Sequence, residues 1–216
     1  MGESTRLSDL PVHALLERLG SSDPVPGGGS ASALSAAMGA ALVAMVAELS
    51  IGRPDSPEEV AAIAELRAGA LGRRAALLEL AEEDAAAYDA VVRARRMPKG
   101  SESERAARAG ALSSAMVGAA EVPLRTAAVA AEVIDLARRI APIGNRNAVS
   151  DAGVAALLAV AGLRGALLNV RINLPYLPAG DPLRDSAPLE VARLEALAAD
   201  GEHAAMAAVD AQLVAP

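Results

Sequence analysis

The side chains that are scarce in this 216-residue chain already exclude several kinds of chemistry. Cysteine, phenylalanine and tryptophan are absent, and there are two tyrosines and two histidines, His13 and His203. Without cysteine there is no disulfide, no thiol nucleophile and no thiolate-bound zinc or iron–sulfur cluster. Two histidines are too few for a histidine-rich metal site. The shortage of aromatic residues, which strands favour, argues against a β-sandwich or a β-barrel.

Basic residues are in the minority as well. The chain has 20 lysines and arginines against 27 aspartates and glutamates, which gives a formal net charge of −7. Nucleic-acid-binding proteins carry a basic patch or stripe, and none is visible here, so we expect no nucleic-acid partner. The polar residues 1–8 do not resemble a signal peptide, and the lack of cysteine is compatible with the cytosol. We therefore expect a cytoplasmic protein.

One long apolar run needs its own interpretation. Residues 30–51 approach the ~20 residues that a membrane-spanning helix requires. They follow three glycines, are mostly alanine, serine and glycine, and include Glu48 near the end, so they would partition poorly into lipid. We interpret the run as a buried core helix and expect no membrane association.

Small and γ-branched apolar residues are what the chain has in abundance. Hydrophobic residues make up 53% of it, mostly alanine, leucine and valine, which favours closely packed helices. Glycine and proline divide it into about six helical stretches, at residues 8–19, 30–50, 58–96, 102–140, 150–173 and 189–214. Pro123 should interrupt or kink the fourth, and a proline-rich linker should precede the last. We predict one all-α domain over residues 1–216, a single-domain helical bundle with two long helices packed around small-residue core helices.

Two of these helices, over residues 30–50 and 154–170, are apolar nearly all round. A helix of that kind must be covered on every side. The long helices of the same chain supply this cover, or a neighbouring subunit contributes to it. The second interpretation is favoured in so short a chain, and we expect a homodimer or a dimer-based oligomer.

An acidic residue on an apolar helical face is the first candidate for chemistry. At about 100° per residue, one stripe of the 58–96 helix contains Leu77, Leu80, Ala81, Asp84, Tyr88 and Val91. Of the consecutive acids Glu82, Glu83 and Asp84, only Asp84 points inward. An unpaired buried polar group costs ~1–3 kcal/mol. Asp84 is therefore salt-bridged to an interior arginine, placed at a solvated helix edge, or retained for function.

Two further clusters combine polar groups with small residues. Asn169 and Asn173 are four residues apart and therefore lie on one helical face. Their two amides either bind a ligand ring that bears hydrogen-bond donors and acceptors or form hydrogen bonds with neighbouring backbone groups. The other cluster is the turn formed by Gly27, Gly28, Gly29 and Ser30. It opens an apolar helix and either cradles an anionic group on free N–H groups or serves as a tight packing turn.

The loop before the fifth predicted helix is the last candidate. It consists of Gly144, Asn145, Arg146 and Asn147, and it is followed by Ser150 and Asp151. Asparagine tolerates the left-handed conformation, so a purely structural turn accounts for the pattern. Arg146 would otherwise place a cation beside a helix N-terminus, where an anionic substrate tail can bind.

These residues, in this order, resemble the cyclodeaminase/cyclohydrolase family of folate enzymes. The matching segments are residues 24–33 (PVPGGGSASA), Asp84 with Tyr88, Met97-Pro98-Lys99, Val122-Pro123-Leu124, Gly144-Asn145 with Ser150-Asp151, and Gly165-Ala166 leading to residues 169–174 (NVRINL). The match runs from about residue 7 to residue 174. Glu82 stands where some relatives carry a second aspartate, which argues against a mechanism with two aspartates.

The resemblance implies an all-α fold, a homodimer, no metal, no bound cofactor and a tetrahydrofolate derivative as substrate. It implies that Asp84 is catalytic, since an inward carboxylate complements the cationic one-carbon bridge between N5 and N10 and can move protons there. The implied substrate-binding residues are Gly27, Gly28, Gly29, Ser30, Lys99, Gly144, Asn145, Asn147, Asp151, Asn169 and Asn173.

Two reactions of this family remain open for the chain. Cyclodeamination converts 5-formiminotetrahydrofolate to 5,10-methenyltetrahydrofolate and ammonia, whereas cyclohydrolysis opens the methenyl bridge with water to give 10-formyltetrahydrofolate. Both reactions pass through a tetrahedral carbon, so the same residues could serve either one. The sequence favours cyclodeamination only slightly. A non-catalytic helical scaffold that binds folate is the alternative of a different class, although such a scaffold would gain from replacing Asp84 with leucine.

Overall fold

Helices are the only regular elements in residues 5–52 and 56–214, the parts of the chain that the computed structural model describes. The α-helices there are α1 Val12–Leu19, α2 Gly28–Ser50, α3 Pro57–Arg96, α4 Glu102–Ile140, α5 Val149–Asn173 and α6 Leu183–Val214. Short 3-10 helices occupy Leu7–Asp9, Arg146–Ala148 and Leu174–Tyr176. The predicted all-α class is confirmed. The expectations about residues 1–8 and about the connector at 51–57 lie partly outside the described residues.

Local capping chemistry explains where the two longest helices begin. Ser56 accepts a hydrogen bond from the Glu59 N–H (3.2 Å), and proline occupies the first position of α3, where its missing N–H costs nothing. α4 begins with a capping box, in which Ser101 and Glu104 each bind the other's backbone N–H.

Prolines account for the differences from the predicted boundaries. Pro11 divides the first predicted helix into a 3-10 turn and α1. Pro123 does not interrupt α4, because the buried residues around it hold the helix on both sides. Pro188 does not delay α6 either, which begins at Leu183 and not at residue 189, because the Asp181 carboxylate accepts a hydrogen bond from the Leu183 N–H (2.9 Å) and starts the helix.

The centre of the bundle is an antiparallel pair, α2 and α5, on which α3, α4 and α6 pack. The two backbones approach closely where each helix has a glycine. A methyl group added at Gly162 would lie 2.6 Å from the carbonyl oxygen of Ser32, and one added at Gly39 would lie 2.6 Å from that of Ala155. The small residues of both helices therefore serve as packing surface, as predicted.

Membrane-like segments are present by length and composition. The segments Gly28–Ser50 and Arg146–Tyr176 are apolar enough to cross a bilayer, but 61% and 56% of their most apolar windows are buried inside the bundle. Core helices of globular proteins have the same properties, so these segments are weak evidence for a membrane.

We expect Gly162→Ala to lower the free energy of unfolding by about 1–3 kcal/mol, because the methyl group must displace the backbone of α2. The matched control is Gly72→Ala in α3, where an added methyl meets nothing within 4 Å. This control should raise the free energy of unfolding by about 0.5–1 kcal/mol through helix propensity alone. Urea unfolding followed by circular dichroism measures both, and equal effects would contradict the close approach of α2 and α5.

Candidate active site

A small hollow of about 130 Å³ lies at the N-terminal end of α2, between α3 and α5. Its walls come from α2, α3, α4, α5 and the loop before α2. The lining residues are Pro24, Val25, Gly27, Gly28, Gly29, Asp84, Tyr88, Ala119, Asn169 and Asn173. Segments far apart in sequence thus meet here, and they include the inward acid, the glycine turn and the pair of amides.

Asp84 is held in this hollow by the first turn of α2. The Ser30 hydroxyl, itself fully buried, lies 3.0 Å from the Asp84 carboxylate (Oδ2) and 3.0 Å from the carbonyl oxygen of Ala81, so it has one proton and two acceptors. A methyl group added at Gly29 would lie only 2.0 Å from Oδ1 of Asp84. Glycine is therefore required at this position for the carboxylate to sit where it does.

Burial raises the pKa of the Asp84 carboxyl group above its ordinary value, because removal from water penalises the charged form. The hydroxyl and the backbone amide of Ser30 act in the opposite direction, but they do not cancel the effect of burial. A carboxyl group with a raised pKa can exchange protons nearer neutral pH than an exposed aspartate can. This property suits a general acid or base.

The neighbouring acids of α3 are engaged elsewhere. Glu82 accepts hydrogen bonds from the backbone N–H groups of Leu7 (2.6 Å) and Ser8 (3.3 Å), and Glu83 forms an ion pair with Arg125 (2.6 Å). Within the described parts of the chain no basic side chain forms an ion pair with Asp84. The salt-bridge interpretation of Asp84 is thereby removed for the described residues, and among them Asp84 alone brings a carboxylate to the hollow.

The amides of Asn169 and Asn173 are oriented by backbone carbonyl groups, which can only accept. Nδ2 of Asn173 donates to the carbonyl oxygens of Ala119 (2.8 Å) and Asn169 (2.9 Å), and Nδ2 of Asn169 donates to Gly165 (2.9 Å). Both protons of the Asn173 amide are thus used, and its oxygen remains an acceptor. The capping and ligand-reading interpretations of these residues are therefore compatible.

Pro123 explains why the Ala119 carbonyl is free to accept from Asn173. In a continuous helix that carbonyl would accept from the N–H of residue 123, but proline has no N–H. The break in the hydrogen-bond ladder of α4 thus supplies the acceptor that orients one wall of the hollow.

The glycine turn brings the start of α2 to the hollow, with Gly27 as its N-cap residue. The first N–H groups of a helix have no partner within it and favour negative charge nearby. An added methyl at Gly28 would approach the Asn169 amide to 3.6 Å. The side chain of Ser30 points to Asp84, so its hydroxyl positions the carboxylate and does not line the hollow.

Lys99 lies at the far end of α3, in the turn that leads to α4, where it is exposed. From residue 84 to the end of α3 at Arg96 the helix rises about 18 Å. Lys99 is therefore outside the hollow, at a distance that only an extended substrate could span.

The cluster at residues 144–151 lies at the opposite end of the bundle. Asn145 donates from its backbone N–H to the Ser50 hydroxyl (2.7 Å) and from its side chain to the Leu49 carbonyl (3.0 Å), at the C-terminus of α2. Its side-chain oxygen accepts from the Asn147 N–H (3.0 Å). The 23 residues of α2 separate this end from the hollow by about 33 Å. Within one chain, Gly144, Asn145, Asn147 and Asp151 do not meet Asp84.

Some lining residues were not among the predicted binding residues. Tyr88, which is 43% exposed, shares the helical stripe of Asp84, and that spacing was a usable signal. Pro24 and Val25 belong to the loop before the glycine turn. Ala119 carries no chemical signal in the sequence, since it contributes only a backbone carbonyl.

A larger groove of the described residues has a different lining from the hollow. The larger groove between α4 and α6, about 550 Å³, is lined by small apolar residues and by charged side chains at its rim, including the ion-paired Asp135 and Arg138. No group of three or more histidine, aspartate or glutamate side chains within these residues could hold a metal ion.

Comparison with known proteins identifies what this arrangement resembles. Residues 11–182 match the family described as formiminotransferase-cyclodeaminase. A methenyltetrahydrofolate cyclohydrolase from Methylorubrum extorquens is 46% identical over 162 residues, which are 75% of this chain and 78% of that protein. The formimidoyltransferase-cyclodeaminase of Mus musculus is 34% identical over 173 residues, which are 80% of this chain but only 32% of that protein.

The fold itself is also found in a solved structure. The crystal structure of formiminotetrahydrofolate cyclodeaminase from Thermotoga maritima matches with a TM-score of 0.84, over 96% of this chain and 99% of that one, at 24% sequence identity. This similarity establishes the same helical architecture.

We expect Asp84→Asn to stabilise the protein at neutral pH and to have little effect near pH 3. Because the pKa of Asp84 is raised on folding, its proton stabilises the folded state fully below about pH 4, and this stabilisation is lost as pH rises through the folded pKa. Asparagine carries no charge and still offers Ser30 an acceptor. Urea unfolding across this pH range tests the expectation, with exposed Asp89→Asn as the control that should give no gain at pH 7. An equal gain for Asp84→Asn at both pH values would contradict it.

Proposed function

This chain belongs to the formiminotransferase-cyclodeaminase family, as the residues of its sequence predicted, and we propose that it is an enzyme of tetrahydrofolate one-carbon metabolism. Its proposed reaction is the hydrolysis of 5,10-methenyltetrahydrofolate to 10-formyltetrahydrofolate. The observation that carries the proposal is the half-buried carboxyl group of Asp84, which lies in a hollow built from the family's own motifs and forms no ion pair with any basic side chain that the structure describes.

The charge of the substrate suits this hollow. The methenyl bridge is a delocalised amidinium cation between N5 and N10, and a carboxylate in a water-poor setting stabilises such a cation more than one in bulk water does. The cation in turn favours the ionised form of Asp84 and lowers the raised pKa of that group. Binding of the substrate thus prepares the carboxylate to accept a proton.

The proton balance assigns Asp84 two steps. As general base it takes a proton from the water that attacks the methenyl carbon, which gives a neutral tetrahedral carbon bearing a hydroxyl group. The bond from this carbon to N5 then breaks, Asp84 returns the proton to N5, and the hydroxyl proton is released as the formyl group forms on N10. Ser30 holds Oδ2 throughout, so the other oxygen is the one that exchanges protons.

The remaining polar groups bind and orient the substrate. The pterin ring offers N–H donors, and the side-chain oxygen of Asn173 is a fixed acceptor at the wall of the hollow. The glutamate tail extends from the bridge toward solvent, where Lys99 supplies a cation at the end of α3. Asn169 has an acceptor and one uncommitted amide proton for the same ring.

Cyclodeamination is the second candidate, favoured by the 34% identity to the mouse bifunctional protein over 80% of this chain. The residues alone put this reaction only slightly ahead, and the margin is small because nothing in them separates ammonia loss from water addition. The cyclohydrolase relative moves our preference to hydrolysis, because this chain spans 78% of that relative and only 32% of the mouse protein. In cyclodeamination the same carboxylate would move the N10 proton to the leaving amine.

We expect the purified protein to accelerate the loss of the methenyl chromophore from 5,10-methenyltetrahydrofolate, and Asp84→Asn to lower kcat by about 10²–10³-fold because proton transfer is lost. The control is Asp89→Asn, an exposed acid on the same helix that pairs with Arg93 outside the hollow. It should retain the activity of the unchanged protein.

Parallel incubation with 5-formiminotetrahydrofolate separates the candidates. Appearance of the methenyl chromophore and ammonia there, with no effect on the methenyl compound, would replace hydrolysis with cyclodeamination. Inactivity in both assays while the protein still binds tetrahydrofolate would leave the scaffold, and full activity of Asp84→Asn would remove Asp84 from the mechanism.

We expect Ser30→Ala to move the acidic limb of the pH profile of kcat/KM to higher pH. The Ser30 hydroxyl lowers the pKa of Asp84, so its loss raises that pKa and the base form is reached only at higher pH. Thr126→Val removes another buried hydroxyl, one that bonds the Val122 carbonyl and does not contact Asp84, and should leave the limb in place. A common shift in both variants, or in neither, would contradict the role of Ser30.

A further inference from the structure

The hollow around Asp84 is too small for the whole of the proposed substrate. Its volume is about 130 Å³, whereas pockets that bury a drug-sized ligand span about 300–1,000 Å³. Tetrahydrofolate carries a benzoyl ring and a glutamate beyond N10, and these groups need space outside the hollow. The surface that adjoins the hollow therefore decides where the outer half of the substrate lies.

A second cavity of about 290 Å³ lies beside the hollow, on the side of the turn between α3 and α4. It is lined by Arg95 of α3, Leu112 and Met116 of α4, and Tyr176 and Pro178 after α5. Most of these side chains are apolar, and the one charged group is the guanidinium group of Arg95. Such a lining suits a flat apolar group that carries an anion at one end.

The second cavity continues the hollow along two of its walls. On α4, Met116 lies one turn before Ala119 of the hollow, and after α5, Tyr176 follows Asn173 of the hollow by three residues. The Asn173 amide donates to the Ala119 carbonyl (2.8 Å), so the two walls are at the same level. A ligand that enters the hollow can therefore extend into the second cavity without leaving these walls.

Both tyrosines of the chain line these two spaces, Tyr88 the hollow and Tyr176 the second cavity. The chain has no phenylalanine and no tryptophan, and the two tyrosines are 43% and 63% exposed. Tyr176 is nevertheless held in place, because the next residue, Leu177, is buried and its carbonyl accepts a hydrogen bond from Arg184 (2.8 Å). An exposed aromatic ring close to the sulfur of Met116 offers a surface on which another flat ring can stack.

One face of α3 presents a carboxylate, an aromatic ring and a cation in succession. Tyr88 follows Asp84 by four residues and Arg95 follows Tyr88 by seven, so all three share this face. The helix rises about 17 Å from the first to the last. Helical side chains lean towards the N-terminus, which brings the Arg95 guanidinium group back towards the hollow. The substrate has the complementary order, a cationic bridge, a benzoyl ring and the carboxylates of glutamate.

The charge of Arg95 is available to a ligand. Within the described parts of the chain its guanidinium group forms no ion pair, whereas Arg125 near the hollow pairs with Glu83 (2.6 Å). Residues 85–118 contain six basic side chains and three acidic ones, although the chain as a whole has a net charge of −7. A cation without a carboxylate partner, in a locally basic surface, favours an anionic ligand.

We propose that the second cavity holds the benzoyl ring of the substrate against Tyr176 and Met116, and that Arg95 binds the glutamate carboxylate at the outer edge of this cavity. The one-carbon bridge then lies in the hollow beside Asp84. Lys99, beyond the end of α3, is the next cation in the same direction. The assignment rests on the proposed function.

A substrate without a carboxylate tests the role of Arg95. We expect Arg95→Ala to raise KM for 5,10-methenyltetrahydrofolate about tenfold at unchanged kcat, because a charge-assisted pair is lost in the ground state and the transition state alike. The N-methylamide of 5,10-methenyltetrahydropteroic acid keeps the ring and the amide but has no carboxylate, so its KM should not change. Arg96→Ala, at an exposed position on the next face of α3, is the control and should change neither KM. An equal rise for both compounds, or no rise, would overturn the role of Arg95.

The ring contact is tested separately. We expect Tyr176→Ala to raise KM for both compounds about fivefold, and Tyr176→Phe to leave both close to those of the unchanged protein, since stacking needs the ring and not the hydroxyl group. The side chain is largely exposed, so the thermal unfolding of both variants should match that of the unchanged protein. Leu189→Ala, at an exposed apolar position on α6, is the control. Unaltered KM values in Tyr176→Ala would overturn the ring site.

The proposed function and this assignment fail in different ways. Normal hydrolysis with no effect of Arg95→Ala or Tyr176→Ala would overturn the second cavity as a binding site and keep the proposed function. An unchanged protein without activity would reject the proposed function, and titration calorimetry with tetrahydrofolate and with tetrahydropteroic acid N-methylamide then decides on the cavity. A tenfold preference for tetrahydrofolate that Arg95→Ala removes would support the assignment, whereas equal binding or no binding would overturn it.

Discussion

The contact between the first turn of α2 and the Asp84 carboxyl group is the constraint around which the site is built. Gly29 has no side chain because the carboxylate occupies the space where one would be, and the Ser30 hydroxyl lies against the same carboxylate. The helix start, the buried acid and the α2–α3 packing are therefore fixed together. A change in any of them moves the Asp84 carboxyl group relative to the amides of α5.

The antiparallel packing of α2 and α5 extends this constraint to the other wall. Their backbones meet at glycines, so the two helices cannot slide without a clash, and the level of Asn169 relative to Gly28 is set by contacts farther along, at Gly162 and Gly39. Close packing transmits position in this way because interiors are nearly incompressible. Alanine and glycine in the core thus determine the geometry of the hollow as well as the stability of the bundle.

Much of the fold was predictable from local chemistry, and the reasons for success and failure are physical. Composition predicts the helical class, and glycine and proline mark the ends of most helices. The structure adds the reason why α3 and α4 begin where they do, which is capping by Ser56 and Ser101. The predicted start of α6 was wrong because the hydrogen bond that the Leu183 N–H donates to the Asp181 carboxylate outweighs the effect of Pro188. The inward orientation of Asp84 follows from a helical stripe, but its contact with Ser30 depends on the level at which α2 crosses α3, which no local pattern contains. For the same reason the order of motifs along the chain did not reveal that residues 144–151 and Asp84 lie at opposite ends of the bundle.

Pro123 has a mechanical consequence. Between residues 119 and 123, α4 lacks one backbone hydrogen bond, because Pro123 has no N–H. The Ala119 carbonyl accepts a hydrogen bond from the Asn173 amide instead. At this step one intrahelical hydrogen bond fewer resists bending of α4, and a bend here moves the Ala119 carbonyl and the Asn173 amide together. A bend of α4 at this step would therefore also turn the side-chain oxygen of Asn173, the acceptor at one wall of the hollow.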